Sequence, residues 1–148
     1  MTTYVHNRRA HFDYEVIETL EAGIVLQGHE VKSVRHGRAK LDGSYVVVRG
    51  GEAYLVGSSI APYQMANTPK SYDPTQPRKL LFSKKELVRL GRATDQERLT
   101  ALPISLYSKG RKIKVQVAIA RGKKKADKRD SIKARDVKRD IDRTLKSQ

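Results

Sequence analysis

No cysteine occurs among the 148 residues, which excludes disulfides and thiolate metal sites and suits a reducing compartment. No apolar run is long enough to span a bilayer. The opening residues, MTTYVHNRRAHF, hold neither an apolar stretch nor a small-residue cleavage pattern. No secretory signal is therefore expected, and a cytoplasmic location is. A Ser-centred nucleophile elbow, a phosphate-cradling glycine loop and an internal repeat are all missing. The histidines His6, His11, His29 and His36 lack the i,i+4 spacing of a metal pair and read as ordinary surface residues. Glu15, Glu18 and Glu21 are spaced by three, which on a strand divides them between faces and argues against a carboxylate metal cluster. The residues describe a binder, with no catalytic group, no cofactor and no small-molecule substrate.

What the chain has in excess is positive charge. Lys and Arg number 31 against 16 Asp and Glu, a formal net charge of +15. That exceeds what solubility needs and favours a phosphate-rich partner, nucleic acid before anionic membrane. The length suits one domain with an extension. The expected division is a folded platform over residues 1–120 and a basic tail over 121–148.

Within the platform, residues 1–12 read as a polar, basic surface arm. DYEVIETL from Asp13 alternates like a strand, imperfectly because Ile17 and Glu18 sit on the wrong faces. Glu21-Ala22-Gly23 interrupts it before Ile24-Val25-Leu26, and the glycine suggests a bulge or kink. Gly28 to Gly37 reads as a short helix with Val31 and Val34 inward and Lys32, Arg35 and His36 outward. Ser44–Arg49 and Glu52–Ile60 form strands around a Gly50-Gly51 hairpin turn. A proline-bearing loop runs from Pro62 to Pro77. Ser83 and Glu86 make a capping box for a helix with Leu87 and Leu90 buried, ended or kinked at Gly91. Thr94 and Glu97 offer a second box. Leu99–Ser108 is a strand with Leu102, Ile104 and Leu106 on one face and Pro103 at an edge or bulge. Lys109-Gly110 turns into a last strand with Ile113, Val115, Val117 and Ile119 inward and Lys112 and Lys114 outward. The chain is thus mainly β with short helices. Its strand count suits a closed, mostly antiparallel barrel of the oligonucleotide-binding type, with a split sheet bearing helices on one face as the rival.

The last 28 residues carry twelve cations and five acids, a surplus of seven. Such a composition does not fold alone. Ala134, Val137, Ile141 and Leu145 nonetheless make a narrow helical stripe, supported by Asp136–Arg139, Asp140–Arg143 and Asp142–Lys146 pairs worth about 0.2–0.5 kcal/mol each. A marginal helix of this kind gains order against phosphate. Amphipathic basic helices also bind membranes or calmodulin-like proteins, but this stripe is thin and has no aromatic, so a membrane is not expected.

Several blocks run in order over about the whole chain: NRRAHFDYEVIETLEAGIVLQGHEVKSVRHGRA, DGSY, GEAYL, IAPY, DPTQPRKLLFSKKEL, LPISLY and ARGKKKADKR. Together they make the chain resemble the family of SsrA-binding proteins (small protein B), bacterial partners of transfer-messenger RNA in trans-translation. The resemblance implies an oligonucleotide-binding-type barrel that grips the tRNA-like domain of that RNA, without catalysis. By motif position, Glu21, Leu81 and Lys114 fall on family residues linked to the grip, and Gly23, Lys32, Arg35, Arg78 and Lys79 complete the candidate RNA-binding set. Lys114 suits a phosphate, Leu81 an exposed base or ribose, and Glu21 a base edge or a neighbouring cation. The resemblance also implies a tail that enters the empty decoding centre and becomes helical in the vacant messenger channel of the small ribosomal subunit. There Asp127, Lys128 and Arg129 match a functional triplet, and Lys123, Lys124, Arg135, Lys138 and Arg139 supply further cations.

The chain departs from the family pattern in places. Ala126 stands where His or Tyr is frequent, so stacking at that position is not available. His29 replaces a common Thr, Gln76 a common Arg and Lys40 a common Asn. The link around Gln96–Leu99 lacks a usual Gly. Two other classes compete: a general ribosomal or nucleic-acid structural protein, suggested by charge alone, and an RNA-processing enzyme using Glu15, Glu18 or Glu21 with a metal.

Overall fold

The computed structural model describes residues 1–64, 66 and 68–123. Twelve elements follow in chain order: β1 (Thr2–His6), α1 (Ala10–Asp13), β2 (Tyr14–Ile24), α2 (Gly28–Arg35), β3 (Ala39–Lys40), β4 (Tyr45–Arg49), β5 (Glu52–Val56), β6 (Ser59–Ile60), β7 (Arg78–Leu81), α3 (Lys84–Asp95), β8 (Thr100–Lys109) and β9 (Lys112–Gly122). Seven strands form one antiparallel sheet in the order β1-β8-β9-β2-β7-β5-β4, while β3 and β6 pair separately. The protein is therefore mainly β with three short helices.

The closed barrel expected from the strand count is not found. The ladder runs from β1 to β4 with no pairing between the two ends. The sheet still curls until β4 approaches β8. A cleft of about 370 Å³ occupies that seam, bordered by Ala10, Tyr14, Tyr45 and Leu99. Residues of α1 and the α3–β8 link thus stand where a closing ladder would run.

The core lies on the inner face of the curl. Ile113, Val115, Val117 and Ile119 of β9 point into it as their alternation requires, against Val34 of α2 and Leu90 and Ala93 of α3. A smaller cluster of Ala10, Leu102, Ile104, Ala118 and Ala120 covers the other face under α1.

Several local expectations hold. Gly50 and Gly51 take φ of +60° and +75°, the conformation a two-residue hairpin loop demands. The Ser83 hydroxyl accepts from the Glu86 amide at 3.2 Å, and Glu86 accepts from the Ser83 amide at 2.9 Å. Pro103 sits at a bulge, where the β8–β9 register shifts between Pro103 and Ser105.

Others are corrected. The first residues are not a loose arm but the edge strand β1, laddered to β8. Val5 is buried, and the Asn7 amide donates to the Pro103 carbonyl at 2.9 Å. β2 is not interrupted at Gly23, which pairs with both Lys114 and Leu81. Its bulge lies at Ile17 instead, and this explains the imperfect alternation: Ile17 is 44% exposed. The bulge at Pro103 moves Leu106 to the main core while Leu102 and Ile104 join the small cluster, so the three do not share a face. The return after the hairpin breaks at Gly57, φ +87°, and splits into β5 and β6. α3 runs through Gly91, because the cap and the buried Leu90–Ala93 stripe outweigh a glycine cost of about 1 kcal/mol. Thr94 donates to the Leu90 carbonyl rather than starting a second box.

Candidate nucleic-acid interface

Directly opposed residues on antiparallel strands share a face. Tyr107 of β8 opposes Lys114 of β9, Lys114 opposes Gly23 of β2, and Gly23 opposes Leu81 of β7. These four make one row across four strands. The next row joins Ser105, Gln116 and Glu21. Three residues far apart in sequence, Glu21, Leu81 and Lys114, are thereby gathered within two residue steps on one surface.

Each member has a definable state. Leu81 is 54% exposed, so its side chain offers an apolar surface on this face. Gly23 has no side chain, and a Cβ there would stand 3.4 Å from Leu81 Cβ, so the glycine leaves a dip between Lys114 and Leu81. Lys114 makes no salt bridge among the described residues. Glu21 is held by the Tyr107 hydroxyl and, at 3.0 Å, by Lys109 Nζ. Those two donors keep its carboxyl below the usual range. Burial first, then Glu21, pushes the Tyr107 hydroxyl up. Both effects keep Glu21 ionised and Tyr107 protonated, so the pair is a fixed anchor rather than a proton-transfer device.

Beside the row a cleft of about 310 Å³ is bordered by Gly23, Leu26, Val31, Leu81, Lys112 and Lys114. Val31 comes from α2, and Arg35 Nη2 donates to the Arg111 carbonyl in the β8–β9 turn at 3.2 Å. That bond ties the helix to the turn. Arg35 therefore extends the cationic surface of Lys112 and Lys114, while the Lys32 ammonium lies 5.9 Å from the Tyr63 ring. Lys79 lies two residues from Leu81 along β7, but its ammonium is matched by Glu52 at 2.9 Å, and Glu52 also accepts from Tyr54.

Arg78 is the exception in the candidate set. Its side chain is 2% exposed and points inward, donating to Glu30 at 2.6 and 3.0 Å. Tyr72 donates to Glu30 at 3.1 Å and also sits 2.8 Å from the Ile60 carbonyl. Burial pushes Glu30 up, but the Gln27 amide and the Arg78 guanidinium outweigh it and hold the carboxyl low. Burial and Glu30 push Tyr72 up to about 12. This buried cluster locks β7, α2 and the 62–77 loop together. Arg78 supports the surface from beneath and does not belong to it.

Sequence reasoning missed Tyr107, Lys109 and Glu30. The first two were within reach, since a strand with Leu106 inward puts Tyr107 and Lys109 on the opposite face, where Tyr107 is nonetheless buried. Glu30 gave no signal, because a glutamate in the first turn of a helix is ordinarily solvated. Glu18 is committed to Arg89 at 2.9 Å, and no group of three or more His, Asp or Glu among the described residues is placed to hold a metal. No helix among them is long and apolar enough to cross a membrane. Lys123 closes the described chain with its amide on the Asp13 carbonyl. Lys124, Asp127, Lys128, Arg129, Arg135, Lys138 and Arg139 lie outside the described residues.

An antiparallel sheet presenting a lysine without a salt bridge, a glycine dip and an exposed leucine in one row, with a basic helix at its edge, suits a nucleic-acid-binding β platform. Comparison with known proteins narrows this. The family model described as SmpB protein matches residues 4–147, and the chain belongs to that family. The SsrA-binding protein of Chelativorans sp. is 50% identical over 147 residues, covering 99% of this chain and 94% of the relative. Those of Chloroflexus aggregans and Staphylococcus epidermidis are 48% and 47% identical over 140 and 145 residues, covering 95% and 98% of this chain and 89% and 92% of the relatives. A solved structure described as "tmRNA-SmpB: a journey to the center of the bacterial ribosome" is 42% identical, with a TM-score of 0.68, covering 86% of this chain and 92% of its own.

Proposed function

We propose that this protein is an RNA-binding adaptor that takes the tRNA-like domain of transfer-messenger RNA on its outer sheet face and delivers it to stalled ribosomes. The carrying observation is the Tyr107–Lys114–Gly23–Leu81 row with Glu21 anchored beside it. Lys114 takes a phosphate, the dip at Gly23 admits a ribose or base, and Leu81 packs on its apolar face. Glu21 holds Tyr107 and Lys109 in place, which accounts for an acid on an RNA surface. The curled sheet serves as an oligonucleotide-binding-type platform even though its ladder stays open. The chemistry is recognition alone, without catalysis.

The tail expected over 121–148, whose first two residues still belong to β9, forms the second functional part. Asp127, Lys128 and Arg129, with the cations around them, probe the empty decoding centre, and the tail becomes helical in a messenger channel vacated by truncated message. The reading is supported by family membership and by the partners that the relatives and the solved neighbour are named for. A gel-shift series with transfer-messenger RNA and bulk tRNA at matched salt tests it. Preference for transfer-messenger RNA is expected. Equal affinity would place the protein among general RNA binders.

A further inference from the structure

The cations of the described residues differ in whether a carboxylate meets them. Lys79, Arg89 and Lys109 are matched by carboxylates at 2.9 to 3.0 Å. Lys32, Arg35, Arg38 and Lys40 have no carboxylate partner among the described residues. They follow one another from α2 through Arg38 into β3, and two of them, Lys32 and Arg38, meet Tyr63. Tyr63 lies with its ring centroid 5.1 Å from that of His36 and 5.9 Å from Lys32 Nζ. His36 Nδ1 is 2.8 Å from the Lys32 carbonyl, which only accepts, so Nδ1 carries the hydrogen and the imidazole is fixed. Arg38 Nη1 donates to the Tyr63 carbonyl at 3.2 Å, which pins the loop backbone. Lys32 and His36 are one helical turn apart, so both approach the ring from the helix side. A groove of about 410 Å³ bordered by Gly37, Arg38, Lys40 and Ser59 continues from this point.

A held aromatic among unneutralised cations is the arrangement that stacks an unpaired base while its phosphates are tracked by Lys and Arg. We infer that Tyr63, backed by His36 and flanked by Arg38 and Lys40, is a second RNA contact. It would stack one unpaired nucleotide on the phenol ring and take the adjoining phosphates along the β3 groove. The inference rests on RNA being the ligand of the sheet face. It adds a separate subsite on the α2–β3 side, reached along the cationic surface of Lys32 and Arg35. Duplex RNA would not satisfy it, because a paired base offers no free face.

The test uses the full chain and the tRNA-like domain of transfer-messenger RNA, titrated at several salt concentrations. Tyr63→Leu should weaken binding about 10-fold, and Tyr63→Phe should stay within about twofold of the parent. Arg38→Gln with Lys40→Gln should lower the log–log salt slope by roughly 1.4–1.8, the value for two lost phosphate contacts. Hydroxyl-radical footprinting should show one protected RNA segment that vanishes in the double variant while the segment covered by the sheet face persists. Thermal melting of each variant checks that it is folded. If Tyr63→Leu and the double variant both bind with parental affinity and slope while Lys114→Ala weakens binding, the second contact is overturned and the sheet-face reading stands. If the parent shows no preference for the tRNA-like domain over unrelated RNA, both fall together.

Discussion

At the scale of single residues, the row on the sheet separates contact from support. Lys114 makes no salt bridge among the described residues and lies on the proposed RNA face, so Lys114→Ala should weaken RNA binding about 10-fold and lower the salt slope by roughly 0.7–0.9. A filter-binding titration at three salt concentrations reads both. Arg78 behaves differently. Removing one partner of a buried pair strands the other, so Arg78→Ala should cost about 3–5 kcal/mol in urea unfolding. RNA affinity in that variant should fall only as far as the folded fraction does. Glu30 adds a pH signature. Its carboxyl is lower in the folded protein than its ordinary value of 4.5. Its stabilisation is thus complete above that value and disappears as pH drops through the folded-state pKa. Thermal melts from pH 7 to pH 3 should show this acid loss. Glu30→Gln should melt lower at pH 7 and lose less on acidification. The exposed carboxylates Glu21, Glu52 and Asp73, also held low by their donors, leave a smaller acid slope behind.

At the scale of elements, the C-terminal end of α3 shows what a missing glycine does. Arg98 takes φ +55°, a left-handed conformation that glycine ordinarily serves after a helix, and the Leu99 amide beyond it reaches back to the Ala93 carbonyl at 2.9 Å. A side chain in the left-handed region costs about 1–2 kcal/mol. Arg98→Gly should therefore raise stability by roughly 1 kcal/mol, read as a higher urea midpoint at unchanged slope. The absence of glycine near Gln96–Leu99 was visible in the sequence, and its conformational consequence was not. This pattern recurs through the fold. Where local chemistry decides, as at Gly50-Gly51 or in the Ser83–Glu86 box, the sequence alone was sufficient. Where tertiary partners decide, it was not. β1 hides in a polar stretch because its order comes from a ladder to residues about a hundred positions away. Gly91 looks like a helix stop because its neighbours' burial cannot be read locally. The bulge at Pro103 was anticipated, but not the face swap it imposes on Leu106. In the candidate site, motif position singles out Glu21, Leu81 and Lys114, and the strand register places the three on one face of the sheet. The inward turn of Arg78 followed from Glu30, whose burial no single-residue rule announces.

At the scale of the molecule, the proposed labour divides along β9. Lys114 stands near its start and Gly122 at its end, eight residues on, or about 26 Å of extended chain. The RNA row is built wholly from residues before Lys123, and the remaining chain leaves from the far end of the strand, beside Asp13. Truncation after Lys123 removes 25 residues and a surplus of five positive charges, none of them in the row. The truncated protein should bind the tRNA-like domain within about 3-fold of the full chain at physiological salt, where charges beyond a Debye length of about 8 Å contribute little. It should fail to support peptide tagging on ribosomes stalled without downstream message. Both quantities can be read from one purified translation system supplied with labelled transfer-messenger RNA. Retained tagging would show that the platform alone senses the stalled state, and loss of RNA binding would show that the tail belongs to the grip.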